Sequence, residues 1–207
     1  MILFDIHTHN TDSNPQSSIY CCKEYIDGRI ISIGIHPWDI NNCWKEQFST
    51  IKEEANKKNV CAIGECGIDK LQSPATTELQ KEVFKAHALL AEEVKKPLII
   101  HCVKAFDEII ALHKEVKPQQ VWIIHGFRGK PQQAEQLIKN GFHISFGEKF
   151  NSDSLKSTPI KRLFVESDES NIGIDEIYCR IAKARGCSIE ELASSVMDNA
   201  KKHNLIP

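Results

Sequence analysis

No stretch of this chain stays apolar for the roughly 18 residues that a membrane-spanning helix requires. Its first residues lack a basic segment leading into a long apolar one, so no secretory leader is expected. An excess of charge is missing too. The formal net charge is −2, and Lys57-Lys58, Lys95-Lys96 and Lys201-Lys202 are isolated pairs. A strongly basic nucleic-acid cradle is therefore not evident, although a short strand or a free end needs only a few contacts. The eight cysteines contain no CxxC pair, and several sit in apolar runs, where cysteine packs as a small hydrophobe. The expectation is a cytoplasmic protein with free thiols and no membrane partner. Low-complexity segments, linkers and long internal repeats are also absent. The 207 residues, 41% hydrophobic and 26% charged, are read as a single domain, 1–207, with a sizeable core.

The informative stretch is the first. Ile2-Leu3-Phe4-Asp5-Ile6-His7-Thr8-His9 is an apolar run of strand length that ends in histidines at i and i+2. On an extended strand those two side chains share a face. The plan then recurs. Ile30–Ile35 runs into His36, Val60–Gly64 into Glu65, and Pro97–Ile100 into His101. Val121–Ile124 runs into His125, and Leu163–Val165 into Glu166 and Asp168. One histidine after an apolar run is ordinary. Six strands that each end in a metal-ligand residue type are not, because a parallel barrel gathers its C-terminal strand ends at one rim. So many ionisable groups in one place call for a cation. Cys66 and Cys102 adjoin rim residues but fall out of the rim-facing phase.

The runs between the strands fit this picture. Trp44–Lys58, Thr76–Val94, Ala105–Lys114, Pro131–Asn140, Ile174–Arg185 and Ser188–His203 have helical spacing, the last with the capping-box pair Ser188 and Glu191. Phe142–Phe146 and Arg162–Glu166 are further strands, and Lys149–Lys156 is too short to assign as a helix. No helix fits between the first and third apolar runs. Because a parallel crossover normally needs a dozen or more residues, Ser17–Cys22 is expected to pair antiparallel with the next strand. The fold class is α/β: a TIM-type barrel abbreviated near its first helices.

These residues resemble the TatD family of metal-dependent deoxyribonucleases and related hydrolases. The matches are Asp5-Ile-His7-Thr-His9, Gly34-Ile-His36-Pro37, Ala62-Ile-Gly64-Glu65-Cys-Gly67-Ile-Asp69, Pro97-Leu-Ile-Ile-His101, His125-Gly-Phe127-Arg-Gly129, Gly141-Phe-His-Ile-Ser145-Phe and Glu166-Ser-Asp168. They come in the family's order along nearly the whole chain. The resemblance implies two divalent ions (zinc, manganese or magnesium). His7, His9, Glu65 and Asp168 would hold one; Glu65, His101 and His125 would hold the other. The implied reaction is phosphodiester hydrolysis at a nucleic-acid end or in a small phosphodiester. Asp168 and Glu65 would be its catalytic carboxylates, with Asp168 orienting the attacking water. The family's His-Ser-Arg-Asp is here His101-Cys102-Val103-Lys104, which leaves Lys104 and Arg128 to take the place of the missing arginine. The ending Glu166-Ser167-Asp168-Glu169-Ser170 lacks the family's proline, and the family's longer substrate loop is missing.

Other residues carry paired readings. His36 either donates to a phosphate or packs at a strand end. Trp38 either stacks on a base or packs at the rim. Lys130 joins Lys104 and Arg128 as a cation near the rim or belongs to the solvated surface. Glu166 and Asp5 are read as supports for ligands, and Asp69 as an anchor for the loop after Glu65. His87, His113, His143 and His203 are read as structural or surface residues. Two rival functions remain: an amidohydrolase-type C–N or ester hydrolase on the same metal centre, and a metal-binding scaffold without turnover. The assembly is expected to be a monomer or small homo-oligomer.

Overall fold

In the computed structural model, which describes residues 1–206, eight strands lie side by side in chain order, and every neighbouring pair is parallel. They are β1 (Asp5–Thr8), β2 (Ser18–Cys22), β3 (Ile31–Ile33), β4 (Val60–Asp69), β5 (Leu98–Val103), β6 (Trp122–Ile124), β7 (His143–Phe146) and β8 (Leu163–Val165). Their isoleucine- and valine-rich sequences are buried on both sides, as a parallel sheet covered by helices requires. The helices are α1 (Trp44–Glu54), α2 (Thr77–Val94), α3 (Phe106–Val116), α4 (Pro131–Lys139), α5 (Ser152–Ser157), α6 (Ile174–Arg185) and α7 (Ile189–Lys202).

Two expectations need correction. β2 pairs with β3 in parallel, Tyr20 beside Ile31 and Cys22 beside Ile33, and not as a hairpin. The connection from Lys23 to Ile30 is short but extended. Eight residues reach up to about 26–29 Å, more than the roughly 17 Å that five residues of strand rise. A bare loop can therefore return to the start of the sheet without a helix. The stretch around Lys149–Lys156 does contain a short helix, α5, whose start is capped by Asn151 Oδ1 accepting from the amides of Asp153 and Ser154, each at 3.0 Å. One turn and a half survives because its own cap satisfies the first amides.

The barrel closes without a ladder between β8 and β1. Asp168, just past β8, donates its amide to His7 O at 2.9 Å and accepts from His9 N at 3.0 Å. Two residues before His7 on the same strand, Asp5 takes both the amide (3.0 Å) and the hydroxyl (2.6 Å) of Ser167. The closing helices clamp the same edge. Tyr178 on α6 donates to Phe4 O at 2.7 Å, and Asn199 on α7 donates to Ile160 O and Leu163 O, each at 2.9 Å.

α2 is the longest helix, and it buries Val83, Phe84, His87, Ala88, Leu90 and Ala91 against the sheet. His87 is fully buried. Its Nε2 accepts from the amide of Ile35 at 3.0 Å, so the Nδ1 proton points to Val83 O at 2.8 Å. This histidine ties α2 to the segment that delivers His36. Burial pushes its imidazole down to about 4. Between that value and the ordinary 6.5, the unfolded chain binds a proton that the folded chain refuses. Stability is therefore full above about pH 6.5 and falls as pH drops through this window. In urea titrations with metal chelated, wild type should lose about 2–3 kcal/mol more than His87→Gln between about pH 7 and about pH 4. Equal losses would contradict this role.

Candidate metal centre

The C-terminal ends of the strands enclose one cleft of about 1060 Å³, lined among others by His9, Cys21, His36, Glu65, His101, Lys104, His125, Arg128 and Asp168. Glu65 stands at its floor, almost fully buried. A bulge puts it there. Ile63 pairs with Leu98 but Cys66 with Ile100, so three steps of β4 match two of β5. Such an insertion re-aims the side chain it carries. Glycines on either side permit the close approach. A Cβ at Gly64 (φ +128) would come within 2.4 Å of Ile99 O, and one at Gly67 (φ +154) within 1.9 Å of His101 O.

The two oxygens of Glu65 face different partners. Oε2 is 3.2 Å from His7 Nε2 and 3.3 Å from His9 Nε2. Asp168 Oδ1 lies 3.7 and 3.8 Å from the same two nitrogens. Oε1 is 2.7 Å from His125 Nε2, 2.8 Å from His101 Nδ1 and 3.3 Å from His36 Nε2. Burial alone would favour the neutral carboxyl, but His125, His7 and His101 hold Glu65 well below the usual carboxylate range. In return, Glu65 and Glu166 outweigh burial and push the His125 imidazole well up.

A second layer of carboxylates fixes the imidazoles. Asp69 Oδ2 meets His101 Nε2 at 3.2 Å and accepts from Trp38 Nε1 at 2.7 Å. Its Oδ1 accepts the amides of Leu71 and Gln72, which anchors the loop after β4. His101 therefore turns Nδ1 towards Glu65. Glu166, fully buried, accepts the Gly126 amide at 2.6 Å, with its Oε1 3.4 Å from His125 Nδ1. Asp5, whose carboxyl burial pushes up to about 7, supports β1 through Ser167 and touches no imidazole nitrogen at salt-bridge distance.

The donor chemistry suits a divalent cation. His7 is fully buried, yet neither ring nitrogen has a hydrogen-bond partner. Leaving such a nitrogen unpaired costs about 1–3 kcal/mol. Its Nε2 lies 3.2 Å from Glu65 Oε2 and 3.7 Å from Asp168 Oδ1, where an ion would take up the lone pair. Donor atoms lying within 4.8 Å of one another form three groups: His7, His9, Cys21 and Glu65; His7, His125 and Asp168; and His36, Glu65 and His101.

All six residues expected to hold metal thus converge. His36, expected as a phosphate donor or packing residue, stands among them, 3.3 Å from His101 Nδ1. Lys104 and Arg128 line the cleft. Trp38 is 43% exposed, with its indole nitrogen bonded to Asp69 and its ring facing the cleft. Lys130 is not among the lining residues. His87 and His143 are buried structural histidines. Sequence reasoning missed Cys21, because an antiparallel β2 would have carried its end away from the rim. It also missed the bonds from Asp69 to His101 and Trp38.

The model of one protein family, TatD related DNase, matches residues 4–203. The chain belongs to the TatD-related DNase family. A relative in Bacillus subtilis strain 168, named uncharacterized metal-dependent hydrolase YabD, is 31% identical over 192 residues, covering 83% of this chain and 75% of its own. A Pantoea ananatis protein named 3'-5' ssDNA/RNA exonuclease TatD is 26% identical over 195 residues, covering 82% of this chain and 75% of its own. The crystal structure of the TatD homologue YjjV from Escherichia coli K12 superposes with a TM-score of 0.75 at 20% identity, over 94% of this chain and 79% of that one. A TatD-family hydrolase from Entamoeba histolytica gives 0.74 at 15% identity, over 98% of both chains. The present chain is accordingly a TatD-family metal-dependent hydrolase.

The buried Glu166 offers a direct check on the second layer. Glu166→Ala should weaken divalent-metal affinity about 10–100-fold, measured by competition with a chromophoric chelator, while the circular dichroism spectrum is kept. An unchanged affinity would show that Glu166 serves only the Gly126 amide.

Proposed function

We propose that this chain hydrolyses phosphodiester bonds, at nucleic-acid ends or in small phosphodiesters, with two divalent ions sharing Glu65. The observation that carries the reading is the division of Glu65, whose Oε2 faces His7 and His9 while its Oε1 faces His101 and His125. A carboxylate divided in this way would let His7, His9 and Glu65 hold one cation and Glu65, His101 and His125 a second. Imidazole and carboxylate donors suit zinc and manganese, with magnesium the harder alternative. When bound, such ions supply Lewis acidity, lowering the pKa of a water from about 15.7 towards 7, and positive charge for phosphoryl oxygens.

The cleft needs that charge. Asp39, Glu65, Asp69, Asp107, Glu108, Asp168 and Glu169 line it against Lys23, Lys70, Lys104 and Arg128. Lys23 is paired with Asp39 and Lys70 with Glu108. Lys104 and Arg128 are left to meet a phosphate backbone. Asp168, whose side chain is 26% exposed, is the carboxylate beside His7 and His9 that opens to the cleft. In this reading it orients the attacking water and accepts its proton. His36 Nε2 lies where it can reach a phosphoryl oxygen or add a ligand beside Glu65 Oε1. The exposed face of Trp38 offers a stacking surface for a base, a contact worth about 1–3 kcal/mol. The Pantoea relative, named for action on single-stranded DNA and RNA, favours nucleic acid as the substrate.

The deciding experiment compares wild type with Glu65→Ala, on a generic phosphodiester and a short single-stranded oligonucleotide, beside amide and lactone substrates. Phosphodiester turnover should require added metal and fall at least about 10³-fold in Glu65→Ala, while Asp168→Asn should lose about 10²–10⁴-fold. Equal rates in wild type and Glu65→Ala would reject the catalytic centre. Faster amide or lactone hydrolysis would favour the amidohydrolase reading. Independently of turnover, zinc or manganese at about 100 times its Kd should stabilise the chelator-treated chain by about 2.7 kcal/mol, an effect that Glu65→Ala should abolish.

A further inference from the structure

We infer that Cys21 is a sulfur donor to the ion held by His7, His9 and Glu65, and that it biases this position towards zinc over magnesium or manganese. The inference rests on the reading of those three residues as metal ligands. Because β2 runs parallel to β1 and β3, its C-terminal end reaches the same rim as His7 and His9. Cys21 Sγ lies 3.9 Å from Glu65 Oε2, the oxygen that also faces both histidines. The four donor atoms lie within 4.8 Å of one another. A zinc ion stands about 2.3 Å from a thiolate and about 2.0–2.1 Å from an imidazole, so the donors of a tetrahedral set lie about 3.3–3.6 Å apart. Side-chain displacements of up to about 1 Å each complete the set.

A second observation points the same way. His7 Nε2, on a fully buried ring, has no hydrogen-bond partner and faces this cluster. The neighbouring thiols are turned elsewhere. Cys22 Sγ donates to Ser32 O at 3.4 Å, and Cys66 Sγ to Ile99 O at 3.9 Å. Cys102 belongs to no donor group.

On ligation the sulfur–metal bond forms as the thiol proton leaves to solvent, with no change in oxidation state. Thiolate is a soft donor that zinc accepts and magnesium avoids. Two imidazoles, a carboxylate and a thiolate are all donors of the kinds zinc takes, and Asp168 is a further carboxylate beside them.

The test is a cobalt(II) titration of the full chain after chelator treatment. Wild type should develop a sulfur-to-cobalt charge-transfer band in the near ultraviolet. The band should vanish in Cys21→Ala and Cys21→Ser and persist in Cys66→Ala and Cys102→Ser. Zinc affinity, measured by chelator competition, should fall at least about tenfold in Cys21→Ala, with manganese affinity held within about twofold. Visible d–d absorption without the thiolate band in wild type overturns the role of Cys21 and leaves the metal centre standing. So does a thiolate band that survives in Cys21→Ala. Failure of the folded wild type to take up cobalt at all overturns both readings. Cys21→Ser keeps the test open should the alanine variant misfold.

Discussion

The arrangement depends on one buried carboxylate. Glu65 has five imidazoles within 3.3 Å of its two oxygens. Imidazoles packed so tightly repel one another once protonated, and in neutral form they leave lone pairs facing lone pairs. His36 Nε2 and His125 Nε2 lie 3.3 and 3.4 Å from His101 Nδ1, so not every nitrogen in the set can be a donor. Only a fixed negative charge, joined by cations, makes the group compatible with burial. The bulge in β4 and the glycines beside it exist in service of that one side chain.

Around this centre the fold uses further acids as mechanical parts. Asp69 binds two loop amides, an indole and an imidazole at once. Glu166 spans an amide and an imidazole. Each removes rotational freedom from a ligand before any ion arrives, so less ordering has to be imposed on binding. This rigidity comes from residues that end the strands, Asp69 on β4 and Glu166 just past β8.

Much of this was legible in sequence because strand ends in a parallel barrel obey a simple rule. Apolar runs that stop at His7, His9, Glu65, His101, His125 and Asp168 name the rim without coordinates, and α6 begins and ends where its periodicity does. What was not legible came from short connections. The eight residues before β3 looked too few for a parallel return, and an antiparallel β2 left no reason to weigh Cys21 beside the rim residues. The place of His36 among the imidazoles was equally hidden, since spacing alone does not tell a ring that meets a ligand from one that meets its neighbour. The contact of Asp69 with His101 joins positions 32 residues apart and follows only from register between β4 and β5.

The seam of the barrel gives Asp168 two duties. Its amide and carbonyl hold the strand that bears His7 and His9, while its carboxylate faces those same rings. Cation occupancy and strand docking are thereby linked equilibria. Under the proposed function, an ion drawing the carboxylate inward would tighten the edge, and fraying of the edge would scatter Asp168, His7 and His9 together. The peptide backbone leaves this junction only stitched, and under the proposed function a bound cation would add a bond across it.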